Sequence, residues 1–373
     1  MVDITILGGG VIGLAIAREL ARAGQSVRVL ERSGFGQEAS WAGAGMLPPG
    51  HCEARQTAES SLRGLSASLW PAWGAELVDD SQIDIGYRAT GALYLFADDA
   101  QRDAGLATWR GEGIPAEPLS SDEIARIEPA LAEAGQPGLL LPTQAQVRNP
   151  RYLKALHADC VRRGVDLQGH CGPIWWVDPH DAKAGVRTNT ETYQSEAYCV
   201  AAGSWSGELL KPLGFSPAIE PIRGQIVLLR EHRPLLRRII EQDRQYLVPR
   251  LDERVLVGST LERVGFQKQV TARGIAGLLE FATELCPSLG AATIERTWAG
   301  LRPGSPDGLP YLGQHPDQER VFVATGHTRW GIQLSPATAL LMRQLMLGER
   351  TELRLDAFSV TRPATFPAAP VKE

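Results

Sequence analysis

The alternation of apolar and polar positions opens with Ile4, Thr5, Ile6 and Leu7, a short β-branched run of the kind that forms a buried parallel strand. Gly8, Gly9 and Gly10 break it. From Val11 to Ala23 the apolar residues Leu14, Ala17, Leu20 and Ala21 recur at helical spacing, and Gly24 stands where a C-cap belongs. Ser26–Leu30 restores the strand pattern and ends at Glu31. Together these residues predict one βαβ unit.

Beyond it the pattern predicts helices over Glu53–Val78, Asp98–Arg110, Tyr152–Arg163 (after Pro150) and Ile275–Leu285. A closing helix is predicted with Ser335 as N-cap, Pro336 at its first position and its end near Leu347. Strands are predicted at Gly91–Phe96, Gln225–Leu229, Gln245–Val248 and Val255–Val257, which would form a mostly antiparallel sheet. Two more are predicted at Ala197–Ala201 and Arg320–Ala324. The tail after Val360, with three prolines, reads as an extended surface segment. Nucleotide-type pieces at both ends and in the middle predict discontinuous domains: 1–90, 143–215 and 296–373 in one, 91–142 and 216–295 in the other.

Composition narrows the class. With 43% hydrophobic and 22% charged residues the chain is an ordinary globular one, and 373 residues exceed a single typical core. A net charge of −5 provides no basic footprint for nucleic acid or an anionic membrane, and no apolar stretch has the length of a membrane span. The cysteines at 52, 160, 171, 199 and 286 are odd in number, scattered and without a CxxC pair, which disfavours disulfides and a zinc site and suits the cytoplasm.

The candidate chemistry starts at Gly8-x-Gly10-x-x-Gly13. Gly8 permits a tight turn, Gly10 lets backbone approach a pyrophosphate, and Gly13 lets helix and strand pack closely. The helix N-terminus would stabilise phosphate charge. Glu31, eighteen residues past Gly13, is placed to accept from a ribose diol. The fingerprint alone does not choose between NAD and FAD. The small-residue run Ser40–Met46, able to lie close to a flat ring system, favours a flavin.

Several separated motifs extend the match: ILGGGVIGLAIA, SWAGAGMLPP, AAGSWSG, EPIRGQ, YLVPR, LVGSTLERVGF, WAGLRPGSPDGLPYLG and ATGHTRWGIQLSPATALL. With these the chain resembles the D-amino-acid-oxidase superfamily of flavoproteins, and within it the glycine-oxidase family of thiamine biosynthesis, over nearly its whole length. The resemblance implies a mixed α/β fold: a Rossmann-type FAD-binding domain and a substrate domain with a mainly antiparallel sheet. It implies non-covalent FAD, with Val11 and Ile12 at the pyrophosphate and Glu31 and Arg32 on the adenosine side. Ala39, Ser40, Ala44, Gly45 and Met46 would line the flavin, and Ile174 the adenine. The segment His327, Thr328, Arg329, Trp330, Gly331, Ile332, Gln333 would wrap the pyrimidine end. Arg302 would bind the substrate carboxylate, Tyr246 would add a hydroxyl, and Arg329 a second basic residue at the mouth. Arg223 would support the loop over the flavin.

The implied reaction is oxidation of glycine, sarcosine or small D-amino acids, with dioxygen as partner, in a homo-oligomer for which a tetramer is the common state. Three residues depart from the family pattern: Trp330 replaces Asn, Leu261 replaces Met, and Arg244 stands where many members have His. They bear on substrate size, not on the cofactor. The competing readings are a D-amino-acid dehydrogenase with a quinone acceptor, a sarcosine-type oxidase with covalent flavin, and a catalytically silent flavin-binding subunit. The covalent reading lacks a cysteine in Trp298–Gly313.

Overall fold

The computed structural model describes residues 2–51, 53, 57–131, 134–178, 185–364 and 366. Two large sheets divide the molecule. The first has six strands in the order Tyr311–His315, Gln318–Thr325, Ser195–Val200, Val2–Leu7, Val27–Leu30 and Asp166–Gln168, all parallel except the outermost Tyr311–His315. Helices Val11–Arg22, Ala58–Ser81, Asn149–Arg162 and Gly331–Met346 pack together as one core that includes Leu14, Ile16, Trp70, Leu156 and Leu341. The chain leaves Val2–Leu7 for neighbours on either side of it. The carboxyl end of that strand is therefore a topological switch point, where open α/β sheets bind ligands.

The second sheet has eight strands: Thr293–Gly304, Glu220–Arg230, Arg254–Gly258, Gln245–Arg250, Ile239–Gln242, Ala92–Leu95, Gly138–Leu141 and Glu117–Leu119. It is antiparallel except where Ile239–Gln242 meets Ala92–Leu95. One face buries Leu93, Val227, Ile240, Leu247 and Val257 against helix Ala272–Leu285. The other carries Ala92, Ile226, Ile239, Tyr246, Val248 and Leu256, and it packs on Ala44 and Met46 of the first half. Strand alternation thus turns Tyr246 and Ile226 toward the first sheet while their sequence neighbours fill the outer core.

Three boundaries differ from the sequence expectation. The closing helix begins at Gly331 with Trp330 as N-cap, so Ser335 and Pro336 lie buried in its first two turns. Proline is tolerated that close to a helix start; the Ser335 hydroxyl donates to the Ile332 carbonyl at 2.8 Å instead of capping. The long helix runs Ala58–Ser81 and is capped by Thr57, whose hydroxyl accepts from the Ser60 amide at 3.0 Å; of the expected start, residues 54–56 lie outside the described residues. Helix Asn149–Arg162 takes Pro150 into its first turn. Of the tail, residues 361–364 and 366 are described, with Arg362 paired to Asp307 at 2.7 Å. The cysteines at 160, 171, 199 and 286 are free thiols, and Cys52 lies outside the described residues.

Candidate active site

A cavity of about 790 Å³ runs from the switch point of the first sheet to the inner face of the second. Its floor is the glycine turn. Gly8 has φ +114°, and a Cβ there would strike the Ala201 backbone. A Cβ on Gly13 would collide with the Gly8 carbonyl oxygen, so Gly13 lies behind the floor and brings the helix against the strand. The first-turn amides of Ile12 and Gly13 have no partner within the helix, while the Val11 amide donates to Ser40 Oγ at 2.9 Å. Glu31 closes the turn: Oε2 accepts from the Gly9 amide at 2.8 Å and Oε1 from the Ser33 amide at 3.0 Å. A carboxylate has acceptor capacity beyond these bonds, so Glu31 can still receive a diol. The cavity, its glycine floor and its free helix amides fit a dinucleotide.

The far end of the cavity is made by side chains. The Arg302 guanidinium lies over Gly224, where a Cβ would occupy its position. Its Nη2 donates to Ser259 Oγ at 2.6 Å and its Nη1 to the Thr260 carbonyl at 3.3 Å. Burial pushes the Arg302 pKa down, and the Tyr246 hydroxyl beside it opposes that shift; burial pushes the Tyr246 hydroxyl up. Arg302 and Tyr246, 56 positions apart in sequence, are thus brought together as expected. Arg329 is exposed at the rim, its guanidinium 4.4 Å from the centre of the Trp330 ring.

Of the residues singled out from the sequence, Gly8, Gly10, Val11, Ile12, Glu31, Arg32, Ala39, Ser40, Ile174, His327, Thr328, Arg329, Gly331, Ile332 and Arg302 line the cavity. Ala44 and Met46 sit one step away, packed with Tyr246 and Trp298 at the seam between the sheets. Gly45 has φ +72° and abuts the Val147 carbonyl. Two of the residues expected around the pyrimidine end stand behind the wall. Trp330 packs on the helical core, and the Gln333 side-chain Nε2 donates to the Pro48 carbonyl at 3.0 Å while the Gln333 backbone carbonyl receives Ser66 Oγ and Trp70 Nε1. The His327 ring is buried against Thr338 Oγ1 at 3.0 Å, and burial holds it neutral, down to about 3. Leu261 and Arg244 are both exposed.

Sequence reasoning missed the residues that hold these walls. Asn149 Nδ2 donates to the carbonyls of Ser40 and Gly43, both at 2.9 Å. Arg250, half-buried and lowered by desolvation to about 10, donates to the Ala44 carbonyl at 2.5 Å. Trp298 Nε1 donates to the Ala42 carbonyl at 3.1 Å. Glu262 anchors the loop that faces Arg302: it pairs with Arg223 and receives Thr260 Oγ1 at 2.6 Å and Gln225 Nε2 at 2.7 Å. Burial pushes Glu262 up, but Arg223, Thr260 and Gln225 outweigh it and hold the carboxyl down at about 2. Arg223, expected to support the loop over the flavin, therefore acts on the segment Ser259–Glu262. Only the occurrence of EPIRGQ and GSTLE in matched motifs hinted at this, because the partners meet across strands.

Comparison with known proteins agrees with this geometry. The glycine oxidase of Pseudomonas aeruginosa is 36% identical over 346 residues, covering 92% of this chain and 94% of the relative. A bifunctional ThiO/ThiG protein of Trichormus variabilis is 36% identical over 96% of this chain, which spans 55% of that longer protein. The crystal structure of glycine oxidase from Geobacillus kaustophilus superposes with a TM-score of 0.93 at 34% identity, over 98% of this chain and 99% of that one. The FAD-dependent oxidoreductase family DAO matches residues 3–345, and with the dinucleotide floor and the Arg302 end of the cavity this chain belongs to that family of FAD enzymes.

Proposed function

We propose that this protein is a glycine oxidase that also accepts sarcosine and small D-amino acids. The reaction takes glycine, dioxygen and water to glyoxylate, ammonia and hydrogen peroxide, and it would feed the thiazole of thiamine. The observation that carries the reading is the half-buried Arg302 guanidinium beside Tyr246 at one end of a cavity whose other end is a dinucleotide floor.

Along that cavity Gly8, Gly10, Glu31, Arg32 and Ser40 would hold FAD, which would supply the hydride-accepting chemistry, with dioxygen as the terminal oxidant. The remaining work falls to the residues of the chain. Arg302 presents two N–H donors to the substrate carboxylate, which fixes orientation as well as charge. The Tyr246 hydroxyl adds a third donor at the same acid group. Holding the acid there aims the Cα–H bond, the alignment this reaction needs most. The substrate must present its amine unprotonated, and the neutral His327 ring, engaged with Thr338, is no proton store for that step. Arg32, over the Trp205 ring at 3.7 Å, and Ile174 would flank the adenosine end.

A peroxide-coupled assay of purified protein against glycine, sarcosine, D-alanine and D-proline tests the reading. Turnover of glycine with stoichiometric peroxide is expected. Reduction of the flavin without peroxide release would instead identify a dehydrogenase.

A further inference from the structure

After strand Arg254–Gly258 the chain runs along the cavity in a segment that, apart from one bridge between Glu262 and Arg223, has neither strand nor helix up to Thr271. At the substrate end, Ser259 Oγ and the Thr260 carbonyl accept from Arg302 at 2.6 and 3.3 Å. Further along, the Phe266 ring packs on Trp205 with centres 5.3 Å apart, and Lys268 Nζ meets Glu38 Oε2 at 2.6 Å. Trp205 and Glu38 line the cavity, as does Arg32, which lies over the Trp205 ring at 3.7 Å and meets Glu38 at 3.3 Å. The segment therefore reaches from the Arg302 end of the cavity to the Arg32 end, and from the antiparallel half to the parallel half.

Its attachments are unequal. On the antiparallel half Glu262 pairs with Arg223, the Gln267 carbonyl accepts from Arg223 at 3.4 Å, and the Thr271 amide donates to Gln225 Oε1 at 2.7 Å. Toward the parallel half the Phe266 ring stays 45% exposed on Trp205, and Lys268 and Glu38 are both partly exposed. An exposed ion pair and a half-wet aromatic pair are marginal contacts, which is what a part that must open requires. We propose that residues 261–270 form a strap that gates the exchange of FAD, with Phe266 on Trp205 and Lys268 on Glu38 as its latch. Neither Phe266 nor Lys268 lines the cavity; each touches a residue that does. The latch joins the chain to itself, so loosening it lowers the barrier to entry and exit alike and leaves affinity nearly unchanged. The inference concerns the cofactor and does not depend on which amine is oxidised.

The test follows flavin fluorescence as the holoprotein is diluted, and again as the resulting apoprotein takes up added FAD. The two traces give exit and entry rates without turnover. Phe266→Ala is expected to raise both rates about fivefold, as loss of an aromatic pair does, with Kd within about twofold of the parent. Lys268→Ala is expected to speed exit by up to about fivefold at low salt, and to lose the acceleration of exit that added salt produces in the parent. Both side chains are exposed, so each variant is expected to melt with the parent. Unchanged rates in Phe266→Ala would overturn the proposal. Faster exit with unaltered entry would also overturn it, because Phe266 would then be a direct contact of the cofactor. Equal salt acceleration of exit in Lys268→Ala and the parent would do the same. None of these readouts uses an amine, so a failure of the oxidase reading shows separately, in the peroxide assay.

Discussion

On the parallel-sheet side the cavity is walled by backbone: a glycine turn with φ +114° at Gly8, free helix amides, and a loop whose carbonyls are pinned by Asn149 and Arg250. On the antiparallel side it is walled by side chains that reach across strands, Arg302 over Gly224 with Tyr246 beside it. A backbone wall tolerates no added atom, because nothing in it can rotate away. A side-chain wall tolerates exchange of shape but not of charge, since its members are desolvated and paired. The two halves should therefore fail differently when mutated.

The largest effect is expected at the glycine floor. In Gly13→Val the new side chain meets the Gly8 carbonyl, and overpacking against fixed backbone costs about 4 kcal/mol or more. Purified Gly13→Val should be colourless or unfolded, as read by the ratio of flavin to protein absorbance and by thermal unfolding. A yellow, stable Gly13→Val would show that the floor can yield. Next comes Arg302→Ala. It should keep its flavin and fold, yet lose about 2–5 kcal/mol in carboxylate binding, as removal of one partner of a desolvated ion pair does. Steady-state kinetics with glycine and titration with acetate measure this loss. Arg302→Ala without bound flavin would break the division between the two walls.

Glu262 sharpens the comparison, because it receives the hydroxyl of Thr260, whose carbonyl accepts from Arg302. Its carboxyl sits at about 2 in the fold against an ordinary 4.5, so the unfolded chain takes up the proton first as pH falls. The stability it contributes, up to about 3 kcal/mol, is complete above pH 4.5 and is lost as pH drops toward 2. Glu262→Gln should flatten that acid limb in melts taken between pH 5 and 3, and should raise KM for glycine more than it lowers kcat. The smallest effect is expected at Lys268, whose ammonium meets Glu38 at 2.6 Å across the mouth with both partners partly exposed. Lys268→Ala should change FAD affinity by about 0.2–1 kcal/mol, less at high salt. A larger loss, measured by flavin fluorescence on dilution, would make this loop part of the cofactor wall.

The same contrast explains what could be read from the sequence. The glycine floor was legible because its signal is local: strand, glycines, helix and Glu31 follow one another within about thirty residues, as this motif requires. Arg302 and Tyr246 were legible through matched motifs. The grip of Glu262 on Thr260 and Gln225 was not, because pairing between strands brings these residues together and no local pattern records it. The closing helix was started too late because Ser335-Pro336 mimics a cap. In the fold that pair is buried, and the preceding turn is stabilised by packing of Ile332 and Leu334 on the core. Trp330 and Gln333 fell behind the wall for the same reason: the helix already exists at Gly331, and its period turns them inward.

The most direct measurement is anaerobic addition of glycine to the purified yellow holoprotein, followed by the visible flavin band. The account requires rapid bleaching in the parent protein and strongly slowed bleaching in Arg302→Ala at the same flavin content. A protein that stays colourless when given FAD, or bleaching at the same rate in both forms, would contradict it.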